Sequence, residues 1–478
     1  MTKLPLIHLF SSPKGYYFFE TNKNTIVQVP KDTFYLLHQL FSDTNVDTEK
    51  ILASPQLKDL TEKGYLSTKR PFEIEHLDTN NLEYLLSRKI EQLTLQVTQD
   101  CNFRCKYCSF SGTGKLQRMH TNKTMPLEVA KRAVDFLHQR SVDANNSYIS
   151  FYGGEPFLAL SLIKEVVQYA NEVFEGRELS YSITTNGSII NDEVIEMCEE
   201  NNISLLISID GSKESHDKNR VFAANGKGTF DAIMNNMRWI KNRYPDFLKK
   251  VRLNMVVDPS TNYRCVDNFF LEYDLFEKAS ANASLVDSIM IDGTYDASDD
   301  FVNDAEYQSF LGNLSILKRV RSESLSVLAN SNIGRIKNDL DHMVKINSLP
   351  DIMAPAGPCV PGVMRPMVNI YGTLYPCERC NESSEMMKIG DIERGYDLKR
   401  VERLLNIGKI RDDLCKDCWM INKCSTCAVM IDTGSVLSGK KKIERCETIK
   451  ADGDYLLRKA AMFYELSHSI YGQKESMQ

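Results

Sequence analysis

The sequence predicts an α/β protein with a parallel sheet at its centre, a small strand-then-helix module before it and a cysteine-rich region after it. Three observations predict this. Apolar strand-like runs alternate with helical stretches through the middle of the chain, the pattern of parallel strands joined by crossover helices, with sites at their carboxyl ends. The first 85 residues carry three short strand runs and then three helical ones. Eleven of the thirteen cysteines fall into three clusters.

The elements follow in chain order. PLIHLF (5–10), YYFFET (16–21) and TIVQVP (25–30) are strand runs separated by the turns SSPKG and TNKN. DTFYLLHQLF, DTEKILAS and QLKDLTEKGYL have helical spacing, with Asp32 and Asp47 as candidate N-caps. A polar linker, KRPFEIEHLDTNN (69–81), leads to QLTLQVTQD, a strand run ending just before Cys101. PLEVAKRAVDFLHQRS keeps Leu127, Ala130, Val134 and Leu137 on one helical face, with Pro126 near its start. YISFYGGEP (148–156), LSYSITTNGS (179–188), ISLLISIDGS (203–212), KVRLNMVVD (250–258) and LVDSIMIDGT (285–294) are the further strands; LIKEVVQYANEVF is one of the intervening helices. Residues 294–347 are helical in pattern, and GDYLLRKAAMFYELSHSIY (453–471) is a closing helix. The expected divisions are 1–85, 86–310, a helical bridge over 311–358, a cysteine-rich domain over 359–450, and 451–478.

Composition narrows the function. Apolar residues are 42% and charged residues 26% of 478 residues, an ordinary globular balance. A net charge of −6 gives no basic field for nucleic acid. No apolar run is long enough to span a membrane, and the N-terminus lacks the features of a signal peptide. A cytoplasmic location, with neither nucleic acid nor membrane as partner, is expected. Reduced cytosolic cysteines in clusters read as metal ligands. Cys198 and Cys265 stand alone, and Cys198, within a helical pattern, reads as a small buried hydrophobe.

The first cluster is CNFRCKYCSFSG, with Cys101, Cys105 and Cys108 inside eight residues. A structural zinc site needs a fourth ligand, and the nearest candidate, His120, lies in an unrelated polar stretch. A [4Fe–4S] cube held by three thiolates keeps one iron open for a substrate or cofactor. The spacing C-x3-C-x2-C, with Tyr107 before the last cysteine, resembles the signature of the radical SAM superfamily. That resemblance implies a partial (β/α)6 TIM-like barrel. It also implies S-adenosylmethionine (SAM) chelated to the open iron and cleaved reductively to a 5′-deoxyadenosyl radical that takes a hydrogen atom from substrate. Electrons would come from a flavodoxin- or ferredoxin-type donor. By the same resemblance Gly153, Gly154 and Glu155 meet the SAM amine, and Ser208, Arg220 and Asn186 meet its ribose and carboxylate. Asn186 and Asp210 read equally well as turn or cap residues.

The later cysteines form a second signature. Cys359 is followed by Gly372 and Cys377, then by Cys415-x2-Cys418-x5-Cys424-x2-Cys427 and Cys446. This resembles the SPASM extension of radical SAM peptide-modifying enzymes, although the last spacing there is usually x3. The resemblance implies two auxiliary [4Fe–4S] clusters, three in all. Cys415, Cys418, Cys424 and Cys446 would ligate the outer one, and Cys359, Cys377 and Cys427 the inner. Cys380 either closes the inner cluster or leaves an iron open to a substrate thiolate; the first is the expectation. CKDCWMINKCSTC alone also reads as a zinc ribbon. Glu378 is a candidate base by analogy with sulfatase-maturing enzymes; the alternative is a solvated surface carboxylate.

The N-terminal module is winged-helix-like. Its place before such a core resembles the RiPP recognition element, which binds the leader of a ribosomally made precursor peptide by strand addition. Its mixed charge argues against DNA. Together the parts resemble radical SAM/SPASM maturases of cysteine-rich precursors, the sactipeptide and ranthipeptide thioether synthases. A carbon–carbon cross-link, sulfatase-type maturation and a non-enzymatic zinc protein are the alternatives.

Overall fold

A computed structural model describes residues 3–42, 46–108, 110, 118–273, 275, 281–286, 295–355 and 359–471. The centre is a mixed sheet. Six strands, Gln92–Thr98, Ser147–Gly153, Leu179–Thr185, Ile203–Ser208, Arg252–Val257 and Ala281–Leu285, lie side by side in sequence order. Each pairs parallel with the next. The connecting segments carry helices, among them Leu127–Arg140, Leu160–Val173, Asp192–Glu200, Phe230–Arg243 and Tyr263–Glu272. Gln92–Thr98 is buried along all but its first residue, as a strand covered on both faces must be. Leu127–Arg140 buries Ala130, Val134 and Leu137, the face that its spacing predicts.

The sheet does not stop at its first strand. Met367–Val368 adds in parallel to Thr94 and Leu95. Thr373–Tyr375, Gly390–Asp391 and Gly395–Tyr396 then continue it as antiparallel pairs. The cysteine-rich region is thus hydrogen-bonded to the central sheet, and their apolar side chains share one core.

The N-terminal module has the expected three strands, Ile7–Ser11, Tyr16–Glu20 and Thr25–Val29, as an antiparallel meander. Helices Lys31–Ser42, Thr48–Leu52 and Pro55–Glu62 follow. Asp47 caps its helix by accepting from Lys50 N, but Asp32 sits inside the first turn of Lys31–Ser42 and is not its cap. Phe18, Leu37 and Leu57 pack one face of this sheet on the helices. Phe10, Tyr17 and Phe19 pack the other face on Leu457 and Ala461 of the last helix.

Several expected boundaries move. The sixth strand is Ala281–Leu285, ending where the sequence pattern placed its start; residues 287–294 of that expectation lie outside the described residues. The closing helix runs Gly439–Tyr471, 33 residues, and carries Cys446. Divisions expected at 85, 310 and 450 fall inside the helices Leu82–Arg88, Asp299–Ile316 and Gly439–Tyr471. No helix among the described residues is long and apolar enough to cross a membrane.

Candidate functional site

The first cysteine group sits where the parallel strands end. Cys101 follows Gln92–Thr98, and the short strand Phe103–Cys105 pairs antiparallel with Arg220–Phe222, setting Cys105 opposite Arg220. Phe103 N donates to Cys101 Sγ and Phe110 N to Cys108 Sγ, each at 3.4 Å. Burial pushes the Cys101 and Cys105 thiols up to about 12. Such thiols stay protonated at neutral pH unless a metal displaces the proton. A thiol donor set on one short loop, with backbone N–H groups already aimed at two sulfurs, fits an iron–sulfur cluster.

The glycines beside it are held by this chain itself. Gly153 has φ +142°, and a Cβ there would meet Thr98 O at 2.2 Å; on Gly154 it would meet Asp100 O at 1.8 Å. Gly154 N donates to Thr98 O at 2.9 Å and Glu155 N to Asp100 O at 2.8 Å. The close approach expected of a ligand is already made by the backbone leading into Cys101. Glu155 is fully buried and accepts from Phe157 N (3.1 Å), Thr185 Oγ1 (2.7 Å) and Asn186 N (2.7 Å). Burial raises its pKa to about 7, against those hydrogen bonds. Asn186 Nδ2 donates to Asn102 Oδ1 at 2.8 Å and lies 4.0 Å from Cys101 Sγ. Ser208 ends the fourth strand, paired with Asn254 and 8% exposed.

Arg220 is not free. Its Nε and Nη2 donate to Asp210 at 2.8 and 3.0 Å, a bidentate pair whose side chains are 7% and 2% exposed. The Tyr107 hydroxyl donates to the same carboxylate, and its ring lies 5.3 Å from the guanidinium. Val256 N completes the shell at 3.0 Å. Tyr107 and Arg220 therefore meet each other through Asp210, which sequence reasoning weighed as a turn residue. The available signal was an acid ending SIDG with an arginine ten residues on. His216 Nδ1 accepts from Asp210 N at 3.2 Å, and burial drives its pKa down to about 3.

The later cysteines gather into two sets. Cys415, Cys418, Cys424 and Cys446 line one cavity of about 190 Å3 with Lys442 and Lys450. Four thiols around a common void are a donor set suited to a cube. Cys377 and Cys380 Sγ lie 3.9 Å apart, and Cys359 and Cys427 are in electrostatic reach of Cys377. Cys380 is 1% exposed in the core. Its S–H lowers the Cys377 pKa by hydrogen bonding. Cys198 is buried in Asp192–Glu200, as its spacing predicts.

Glu378 is not a solvated carboxylate. Its side chain is 19% exposed and faces Arg365 at 3.3 Å, while its Oε2 is buried without a partner. Burial first, and the charge of Glu378 second, raise the pKa of Tyr152, near the end of the second strand. Sequence reading missed a second group. Glu382 accepts from Arg118 Nε at 2.9 Å and from Gln96 Nε2, tying the segment after the first cysteines to the cysteine-rich region. These residues are hundreds of positions apart, and no local pattern marks them.

Residues 95–271 match the Radical SAM superfamily, a span holding four of the six parallel strands whole and the end of the first. The chain thus carries a radical SAM domain. It is 33% identical over 200 residues to a cysteine-type anaerobic sulfatase-maturating enzyme of Clostridium novyi, covering 40% of this chain and 49% of that one. It is 28% identical over 173 residues to the radical SAM cyclopropyl synthase TigE of Paramaledivibacter caminithermalis, covering 34% and 36%. The chain spans about half or less of the length of these relatives. Among solved structures, native anSMEcpe with bound AdoMet shares the fold, with a TM-score of 0.55 at 19% identity over 80% of this chain and all of that one.

Proposed function

We propose that the protein is a radical SAM maturase that oxidises a cysteine-containing ribosomal peptide and closes a sulfur-to-carbon thioether in it. The observation that carries this is the first thiol group, gathered at the carboxyl ends of the parallel strands inside the segment that matches the Radical SAM superfamily. When bound, SAM and three [4Fe–4S] clusters supply the hydrogen-abstracting radical and the electron acceptor. Cys101, Cys105 and Cys108 hold the first cluster. Tyr107, Gly153, Gly154, Glu155, Asn186, Ser208 and Arg220 shape the SAM site, with Asp210 fixing Tyr107 and Arg220. Cys359, Cys377, Cys380 and Cys427 hold the inner auxiliary cluster, and Cys415, Cys418, Cys424 and Cys446 the outer. The peptide would lose two hydrogens as the S–C bond forms: one as an atom to the radical that bound SAM would supply, the other as the thiol proton to Glu378, with the remaining electron going to an auxiliary cluster held by the later cysteines. The unpartnered Glu378 Oε2 supports the role of base. Thr25–Val29, at the edge of its three-stranded sheet, offers the site where a leader would add as a strand. A flavodoxin- or ferredoxin-type protein supplies electrons.

A second reading is sulfatase-type oxidation of a single cysteine side chain, favoured by the name of the Clostridium novyi relative. One experiment separates the two. Anaerobically reduced protein, SAM and a cysteine-containing peptide are incubated, and the peptide is analysed by mass spectrometry. Loss of two hydrogens with the sulfur retained and no longer alkylatable supports the thioether. Loss of the sulfur overturns it in favour of an aldehyde product. Absence of 5′-deoxyadenosine from iron-loaded protein overturns both.

A further inference from the structure

We propose that Lys442 is a positioning residue that holds the reduction potential of the outer cluster high. The inference rests on the reading of Cys415, Cys418, Cys424 and Cys446 as that cluster's ligands. Lys442 is 3% exposed. Its Nζ donates to Ile407 O at 2.9 Å, Gly408 O at 3.0 Å and Cys415 Sγ at 3.3 Å. An ammonium has three protons, and each has an acceptor here. Two of those acceptors close a short turn, Ile407–Lys409, which a merely structural lysine would also serve. The third is a sulfur of the cysteine group.

The helix Gly439–Tyr471 brings a second lysine, Lys450, to the same cavity. Lys442, Cys446 and Lys450 are spaced by four, so they share one face, with the cysteine between the cations. All three line the cavity with Cys415, Cys418 and Cys424. The two lysines differ in solvent. Lys450 is exposed, where water screens its charge, and Lys442 is not. A four-thiolate [4Fe–4S] cube is anionic and becomes more so on reduction. A buried cation donating N–H to one ligand sulfur therefore favours the reduced form, since net charge, hydrogen bonds to sulfur and exposure set the potential.

The test is an EPR-monitored redox titration of anaerobically reconstituted full-length protein. In Lys442→Met the outer cluster's midpoint is expected to move negative, with a tenfold drop in its reduced-to-oxidised ratio at a fixed potential, ~59 mV for one electron. Lys442→Arg should keep most of the wild-type value, and Lys450→Met should move it much less than Lys442→Met. An unchanged midpoint in iron-replete Lys442→Met overturns the inference. If Lys442→Met loses the cluster, Lys442→Gln and Lys442→Arg decide it: a lower midpoint in Gln alone supports the inference, and equal midpoints overturn it. Failure of the underlying reading looks different. Replacing Cys415, Cys418, Cys424 and Cys446 with Ala would then leave iron content and all EPR signals unchanged.

Discussion

Glu155 illustrates how one buried side chain organises a strand end. Its carboxylate accepts three hydrogen bonds, two of them from Thr185 and Asn186, so it holds the TNG turn against the cysteine loop. Glu155→Gln sets an amide donor against at least one N–H or O–H donor, a loss of ~1–3 kcal/mol. Calorimetry should show SAM affinity at least tenfold weaker; wild-type affinity would refute the role. Asp210 carries more. Asp210→Ala strands the buried Arg220 charge, which costs about 3–5 kcal/mol when one partner of a buried pair is removed. Chemical denaturation should read a loss of that size, and a change under ~1 kcal/mol would mean that water reaches the guanidinium. At Cys380, close to Cys377 and buried, the expectation is a closed inner cluster. A cysteine-containing peptide should leave the inner cluster's EPR signal unchanged in the wild type and alter it in Cys380→Ala. A peptide-induced change in the wild type would show an open iron.

At the scale of elements, the turn after Ser147–Gly153 and the strand Tyr16–Glu20 make separate demands. Gly154 lies so close to Asp100 O that any Cβ forces the backbone before Cys101 to move. Gly154→Ala should lower iron retention by roughly one cluster's share, read by colorimetric iron analysis, with the auxiliary share intact. Glu20, fully buried on the middle N-terminal strand, has its pKa raised by burial from 4.5 to about 7. The folded carboxyl is thus protonated at pH values where the unfolded one is charged. Its contribution is fully present below pH 4.5 and is lost as pH rises through 7. Urea midpoints should therefore fall less steeply between those pH values in Glu20→Gln than in the wild type. Equal slopes would place Glu20 in solvent.

At the scale of the molecule, the N-terminal sheet joins the two halves of the chain. Its second face packs Phe10, Tyr17 and Phe19 on Leu457 and Ala461. His8 stacks on Trp419 at 3.9 Å and pairs with Asp454 at 2.8 Å, and Asn422 donates to Thr21 O at 2.9 Å. Trp419 directly follows Cys418, so the module rests on the loop that carries the outer cysteines. Removing residues 1–85 would uncover the apolar surface of Leu457, Ala461 and Trp419 that it covers. The truncated protein should aggregate or melt several degrees lower by differential scanning fluorimetry. Phe19→Ala, which removes a fully buried ring, should cost about 3–5 kcal/mol. Melting of the truncated chain at the wild-type temperature would show that the interface carries no stability.

What the sequence by itself determined is local. Strand alternation, helical spacing at Ala130, Val134 and Leu137, and the clustered cysteines are written in neighbours a few residues apart, because backbone period and thiol chelation act over that distance. The tertiary structure decided the partnerships across long separations. It set Asp210 between Tyr107 and Arg220, Glu382 against Gln96 and Arg118, and Lys442 against Cys415. It also joined Met367–Val368 to the first parallel strand and ran one helix through Cys446 to Tyr471. A buried charge must find its counter-charge or hydrogen-bond acceptors, and where these come from is a property of packing that no window of neighbouring residues contains.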